Sequence, residues 1–355
     1  LSNTLTISID AMGGDHGPAV TVRAALLATE RLPGVAFLLH GDRSQIEAEL
    51  VRATAAQRAV IEIRHSDRAI AMDEKPAQAM RRGKGTSLWA AIESVKTGEA
   101  AAVVSAGNTG ALMAISKLQL RMAADLERPA IVASWPTLKG ISVVLDVGAN
   151  VESDAEQLIE FAIMGAAFHR AVHGSTQPTV GLLNVGSEEQ KGHDDVRQAH
   201  ALLRETTLDF DYRGFVEGND IAKGTVDVIV TDGFTGNIVL KSAEGLARYF
   251  VHELRTTFTS SLLGRLGALI ALGPLKGMKR RMDPGRINGG PLLGLNGIVV
   301  KSHGGADAHG YVSAIKVAVD LARSDYSQEI ARNVQRLTAI LPLCPDIEPK
   351  TGVSG

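Results

Sequence analysis

The chain has one cysteine in 355 residues, Cys344. A disulfide framework and a thiolate metal site within one chain are thereby excluded, and a lone thiol near the C-terminus is a poor start for thiol catalysis. Aromatic residues make up only 4%. Neither sign of charge dominates: 37 Lys+Arg stand against 39 Asp+Glu for a net charge of -2, which argues against a protein that binds nucleic acid over its whole surface. Long apolar runs are missing as well. The longest, 262–275, is interrupted by Arg265. As a helix it would span roughly 21 Å at ~1.5 Å per residue, short of the ~30 Å hydrocarbon core of a bilayer. Residues 1–10, LSNTLTISID, lack the basic segment and apolar run of a secretion signal, so a reduced, cytoplasmic location is expected.

Several catalytic signatures are absent too. The sequence holds no G-x-x-x-x-G-K-[ST], no H-E-x-x-H and no G-x-S-x-G. Gly83-Lys84-Gly85 opens a G-x-G pattern, but Leu88 stands where a dinucleotide fingerprint needs its third glycine.

What is present is glycine, 37 residues, and a hydrophobic fraction of 45% that supports a substantial core. Short β-branched runs alternate with helical patterns. Strands are expected at 5–10, 35–40, 60–64, 101–105, 130–134, 141–146, 179–184, 226–231 and 297–301. Several are continuously apolar, as strands covered by helices on both faces should be. Pro18 sits where a first helical residue belongs, and Ser153 with Glu156 reads as a capping box for a helix bearing Ile159, Ile163 and Ala166 on one face. The economical fold is a doubly wound, mostly parallel α/β sheet. With no linker or repeat visible, residues 1–343 read as one unit and 344–355 as a flexible tail.

Residues 236–285 depart from the alternation. A long helix is expected, broken near Gly264–Gly273. Leu262, Leu263, Leu266, Leu269 and Ile270 are then followed by Lys276, Lys279, Arg280 and Arg281. A hairpin that forms a dimer is one reading. The other is an amphipathic element with leucines in the acyl boundary and cations at anionic headgroups. Both hold if the tip projects from a dimer.

Most of the chemistry is expected where strands end. The loops are AMGGDHGP (11–18), AGNTGA (106–111), VGAN (147–150), VGSEEQKG (185–192) and DGFTGN (232–237). In an open parallel sheet, strand C-termini share one edge and bind ligands there. Glycines let backbone N–H groups approach an anion, and helix N-termini add partial positive charge. Five such loops predict a site for a small oxyanion that works by positioning and electrostatic stabilisation.

Taken together, DAMGGDHGP (10–18), SAGNTGA (105–111), DVGAN (146–150), GLLNVGSEEQKG (181–192), VEGNDI (216–221), TDGFTGN (231–237) and GGPLLGLNGIVVKSHGGAD (289–307) resemble the bacterial phosphate acyltransferase family PlsX. The resemblance runs from about residue 5 to 325 without a missing block. It implies an α/β/α sandwich like that of isocitrate and isopropylmalate dehydrogenases, with a projecting helical hairpin. It also implies transfer of a long fatty acyl chain from acyl carrier protein to inorganic phosphate, by a homodimer attached peripherally to the inner face of the cell membrane. No cofactor is implied.

On this reading Lys191 neutralises phosphate or the developing oxyanion, or else is a solvated lysine. It stands at a helix start, an unfavourable place for a cation without an anionic partner. Asn237 donates to the thioester carbonyl or caps a helix, and Asn108 and Thr109 are phosphate or carbonyl donors. His16 is a candidate acid or phosphate ligand. Gly13, Gly14, Asp15, Ser105, Gly107, Gly148, Asn150, Asn184, Gly186 and Gly236 line the phosphate site. Asp10, Asp146, Asp232 and Glu188 repel an anion, so they are expected to support loops or orient Lys191 or His16, with Mg²⁺ as a lesser option. His303 belongs with the weaker candidates. Arg81, Arg82 and Lys84 precede a helix starting near Ser87 and face phosphate, an acidic carrier protein, or solvent. Two other functions remain open: a phosphate acetyltransferase using acetyl-coenzyme A, and a non-catalytic membrane-bound scaffold for carrier protein.

Overall fold

The computed structural model describes residues 4–124, 126–275, 277 and 288–340. Among them one sheet of eleven strands is formed: β1 (Leu5–Asp10), β2 (Val35–Gly41), β3 (Ile61–His65), β4 (Ala102–Ser105), β5 (Ala130–Thr137), β6 (Gly140–Leu145), β7 (Thr179–Leu183), β8 (Asp211–Val216), β9 (Val228–Val230), β10 (Gly290–Leu293) and β11 (Ile298–Lys301). Their order is β3-β2-β1-β4-β11-β10-β5-β6-β9-β7-β8.

Two parallel blocks make up this sheet. The first, β3 through β11, is parallel throughout, and so is the second, β6 through β8. Between them β10 pairs antiparallel with both β11 and β5, and the β5–β6 hairpin pairs antiparallel again. The second block therefore runs against the first. β8 and β10 were not expected from the sequence. DYRGFV is a half-buried strand at the end of the sheet and GPLL a four-residue one, so neither carries a strong period-2 pattern.

Helices cover both faces. Along β4, Ala102 and Val104 join a core with the helices Pro18–Arg31 and Ala308–Arg323, while Val103 joins the opposite core with Ser87–Lys96 and Thr109–Leu120. The second block repeats this. Val143 and Leu145 pack towards the helix Ala155–His173, and Val144 packs with Ile229 and Ile221 on the other face. That is why these strands read as unbroken apolar runs. Pro18 is the first helical residue, as expected. The cap of Ala155–His173 falls one residue later than the sequence suggests: Asp154, not Ser153, accepts the Gln157 amide. A carboxylate caps at least as well as a hydroxyl, and the two stand side by side.

The projecting element is a 27-residue helix, Gly233–Thr259, followed by Leu262–Ile270. The break lies at Ser260 and Ser261, ahead of Gly264, because the Ser261 hydroxyl accepts the Gly264 amide and starts a new helix there. In the first helix only Gly233 and Gly236 are buried. Leu262, Leu263, Leu266, Leu269 and Ile270 are all exposed, Leu262 at 83%. Lys276, Lys279, Arg280 and Arg281, with the tail 344–355, lie outside the described residues.

Candidate active site

The expected loops do not lie on one edge of the sheet. Those after β1 and β4 close the C-terminal edge of the first block, whereas those after β6, β7 and β9 close the C-terminal edge of a block that runs the other way. The cause is the β5–β6 hairpin: the two antiparallel pairings of β10 cancel and leave β5 running with the first block, and the hairpin then reverses β6 and the strands parallel to it.

The first centre is built on Asp10. This buried carboxylate accepts the Ser87 hydroxyl on Oδ1 and the Ser105 hydroxyl on Oδ2, each over 2.7 Å. Ser105 Oγ in turn accepts the Gly107 amide over 3.0 Å. A side chain on Gly13 would stand 2.6 Å from Asp10 Oδ2 and 2.7 Å from the Gly107 nitrogen, so only glycine lets these two loops touch. Burial pushes the Asp10 carboxyl above its ordinary value, and the two hydroxyls oppose that rise. Gly14 lies beside Ala106 and Gly304, and the Asp15 amide bonds to the Gly304 carbonyl.

Lys301, at the end of β11, reaches the same place. Its Nζ donates to the carbonyls of Ala106, over 3.2 Å, and Ser302. Burial lowers the ammonium to about 8, while the charges of Asp15 and Asp10 work against the fall. Sequence reasoning missed Lys301 as a site residue. The available signal was a lysine closing the apolar strand IVVK directly before SHGG.

The second centre is built on Asp146, at the end of β6. Its Oδ1 accepts the amides of Ile131, Gly148 and Ala149, and its Oδ2 those of Ala149 and Asn150 together with the Asn150 side chain. Burial raises this carboxyl and the bonds from Ala149, Ile131 and Asn150 lower it. The helix Gly233–Thr259 starts against this loop. A methyl on Gly236 would collide with the Asp146 carbonyl oxygen, which explains the second glycine of DGFTGN. Asp232 is the cap, accepting the Thr235 amide and hydroxyl, each over 2.8 Å.

Several expected ligands are occupied within the fold. Asn108 caps Thr109–Leu120, taking the Ala111 amide over 3.0 Å, and its Nδ2 donates to the carbonyls of Ala71, Met72 and Glu74. No hydrogen of that amide is left for substrate. Asn150 is spent on Pro129 and Asp146. Asn184 closes its own loop on Lys191 O and the Val185 amide. Asn237 is not a cap. It lies one turn into its helix, exposed, beside Gly148, and its amide has no partner among the described residues. Thr109 and His16 are likewise exposed and uncommitted.

Lys191 is half-exposed and pairs with Glu188, Nζ to Oε1, over 2.8 Å. Its hydrogen bond holds the Glu188 carboxyl below the usual range. Glu188 is thus the anionic partner that a lysine at this position needs, and Gly186 lies against the pair. Among the described residues no group of three or more His, Asp or Glu is placed to hold a metal ion.

Comparison with known proteins bears on the whole chain. The phosphate acyltransferase of Caulobacter vibrioides is 71% identical over 96% of this chain and 94% of its own length. That of Phenylobacterium zucineum is 58% identical over 97% and 98%. Among solved structures, a phosphotransacetylase from Streptococcus pyogenes superposes with a TM-score of 0.62 at 19% identity, covering 91% of this chain and 95% of that one. The EutD phosphotransacetylase from Staphylococcus aureus gives 0.56 at 16%, covering 90% and 95%. At such identities the likeness is one of fold. Matched from residue 5 to 329 by the profile described as fatty acid synthesis protein, the chain belongs to that family, the PlsX family its motifs resemble.

Proposed function

We propose that this protein is a phosphate acyltransferase that moves a long fatty acyl group from the thioester of acyl carrier protein to inorganic phosphate. The product, an acyl phosphate, would feed phospholipid synthesis. The observation that carries the reading is the end-to-end match to chains named phosphate acyltransferase. Uncommitted donors at strand ends, Thr109 and Asn237, agree with it, as do the ammonium groups of Lys301 and Lys191.

In this reaction a phosphate oxygen attacks the acyl carbonyl carbon, and a C–O bond forms. The C–S bond then breaks, and the carrier's thiolate leaves to take a proton from water. Phosphate is already an anion near neutral pH and needs no strong base. The work left to the protein is to hold two anions together and to stabilise the tetrahedral oxyanion. Asn237 and Lys191 suit the oxyanion, and Lys301 with the amides of the Gly13 and Gly107 loops suits phosphate. Sheet twist helps the two centres to cooperate. At about 20–25° per strand, the six steps from β1 to β9 accumulate to about 120–150°. A twist of that size would offset most of the reversal between the blocks, which supports reading the two centres as one site.

The exposed apolar residues of the hairpin, from Leu246, Tyr249 and Phe250 to Leu266 and Ile270, fit a homodimer contact and a peripheral seat on an anionic membrane. No described helix is long and apolar enough to cross a membrane. The fold shared with phosphotransacetylases supports acetyl-coenzyme A as a second donor to be tested. Isotopically labelled phosphate incubated with long-chain acyl carrier protein, or with acetyl-coenzyme A, decides. Label in acyl phosphate only with the former is expected, and label only in acetyl phosphate would overturn the proposal.

A further inference from the structure

Between β3 and the helix Ser87–Lys96, the chain forms an open cavity of about 580 Å³ lined by Arg68, Ile70, Asp73, Lys75, Arg82 and Thr86. It adjoins the Asp10 centre on two sides. Asn108 ties one wall to the β4 loop through the carbonyls of Met72, over 3.0 Å, and Glu74, over 2.7 Å. On the other side Thr86 caps the helix whose first residue, Ser87, donates to Asp10.

The charge around this cavity is out of character with the rest of the molecule. Residues 68–85 hold five cations, Arg68, Lys75, Arg81, Arg82 and Lys84, against two carboxylates, Asp73 and Glu74, in a chain whose net charge is -2. Elsewhere some exposed cations are paired, as in Arg58–Glu47, Arg204–Glu189 and Lys223–Asp220, and others stand singly, as Lys96 and Lys139 do. Here none of the five forms an ion pair among the described residues, and Arg68 donates only to the Lys84 carbonyl. Like charges clustered without counter-charges repel one another, a cost that an anionic partner removes. Two exposed methionines, Met72 and Met80, flank the cations and offer apolar contact that adapts to a partner's shape.

We infer that this basic face is the docking surface for an acidic acyl-carrying protein, with the cavity admitting its arm towards the Asp10 centre. The inference rests on carrier protein being the acyl donor. Docked here, the carrier covers Arg81, Arg82 and Lys84, and its thioester approaches the Gly13 and Gly107 loops past Thr86 and Asn108.

The test uses the full chain with the double charge reversal Arg81→Glu/Lys84→Glu, measuring binding of carrier protein and turnover with two donors. One donor is long-chain acyl carrier protein; the other is the same acyl group on pantetheine, which lacks both the protein and the phosphodiester. The Kd and KM for carrier protein are expected to rise about tenfold and their dependence on salt to flatten, as for rim charges that steer association. The KM for acyl-pantetheine should stay within about twofold, since neither Arg81 nor Lys84 lines the cavity. The milder pair Arg81→Gln/Lys84→Gln should move carrier binding in the same direction by less, with thermal stability kept. Unchanged carrier binding in both variants overturns the inference, as does an equal rise in KM for both donors. If the wild-type protein neither binds nor uses carrier protein but does use acyl-coenzyme A, the donor assignment itself fails and takes this surface with it.

Discussion

Ser105 Oγ donates to Asp10 Oδ2 over 2.7 Å and so joins the C-terminal ends of the neighbouring strands β4 and β1. Ser87 fills the other carboxylate oxygen. A buried carboxylate held in this way is a brace for two loops and does not face phosphate. Asp10→Ala should therefore cost about 1–3 kcal/mol for each hydroxyl left without its acceptor. Turnover should fall with it, because the Gly13 and Gly107 loops lose their common support. Urea denaturation and turnover of Asp10→Ala, Ser105→Ala and the double variant form the test. Additive losses in stability would show that the two side chains act independently.

Much of this was legible in the sequence because the signals were local. Apolar runs marked β1, β4 and β6, Pro18 marked a helix start, and the helix expected near Ser87 begins at that residue. Strand direction was not legible. The reversal is made by the β5–β6 hairpin, and the direction of β5 relative to the first block is set through β10, which pairs with β5 about 160 positions earlier in the chain. Polar loop residues were also ambiguous: the same asparagine that suits a ligand suits a cap. Asn108 and Asp232 proved to be caps, while Asn237, one turn further on, was left free. Lys301 escaped notice because its importance comes from burial beside Asp10 and Asp15, which only the fold creates.

Lys301 makes the expected pH dependence explicit. Its folded value is lowered to about 8 from 10.5, so the ammonium is lost on raising pH through about 8. If its charge holds phosphate, kcat/KM should decline above that pH. Lys301→Arg, which stays charged, should carry the activity further into the alkaline range. Stability moves the other way. Between about 8 and 10.5 the unfolded chain binds the proton that the folded chain has released, so this group's contribution to stability rises with pH. A flat rate profile from pH 7 to 9.5 would remove Lys301 from phosphate binding.

The Lys191–Glu188 pair is half-exposed, and ion pairs of that kind add little to folding. Lys191→Ala should leave the thermal midpoint nearly unchanged. If the ammonium stabilises the developing oxyanion, turnover should drop about 10²-fold, the scale of losing one such donor. Single-turnover measurement of acyl phosphate separates the chemical step from release. Near-wild-type turnover would make Lys191 a surface lysine.

On the hairpin, Leu266 and Ile270 are 55% and 79% exposed in the described chain. Seating both side chains in an acyl layer is worth about 3 kcal/mol or more, over a hundredfold in partitioning. Leu266→Asp/Ile270→Asp should thus abolish sedimentation with anionic vesicles while acyl phosphate formation in solution persists. Undiminished sedimentation would show that the helix Leu262–Ile270 does not touch lipid.

Glu160 provides a stability test independent of the active site. It is 3% exposed on the helix Ala155–His173, and its Oε2 has no hydrogen-bond partner. Burial above all, with the charges of Glu156, Glu127 and Asp154, pushes its carboxyl up to about 8, although a hydrogen bond from the Glu127 backbone acts the other way. The unfolded chain ionises near 4.5, so between about 4.5 and 8 it releases a proton that the folded chain keeps. Stability is then fully present below 4.5 and drains away as pH rises through that window, at up to about 1.4 kcal/mol per pH unit. Glu160→Gln keeps the shape and removes the titration. Thermal melts should show the variant gaining on the wild type steadily from pH 5 to pH 8. A gap that stays constant across that range would mean that Glu160 titrates alike in the folded and unfolded chains.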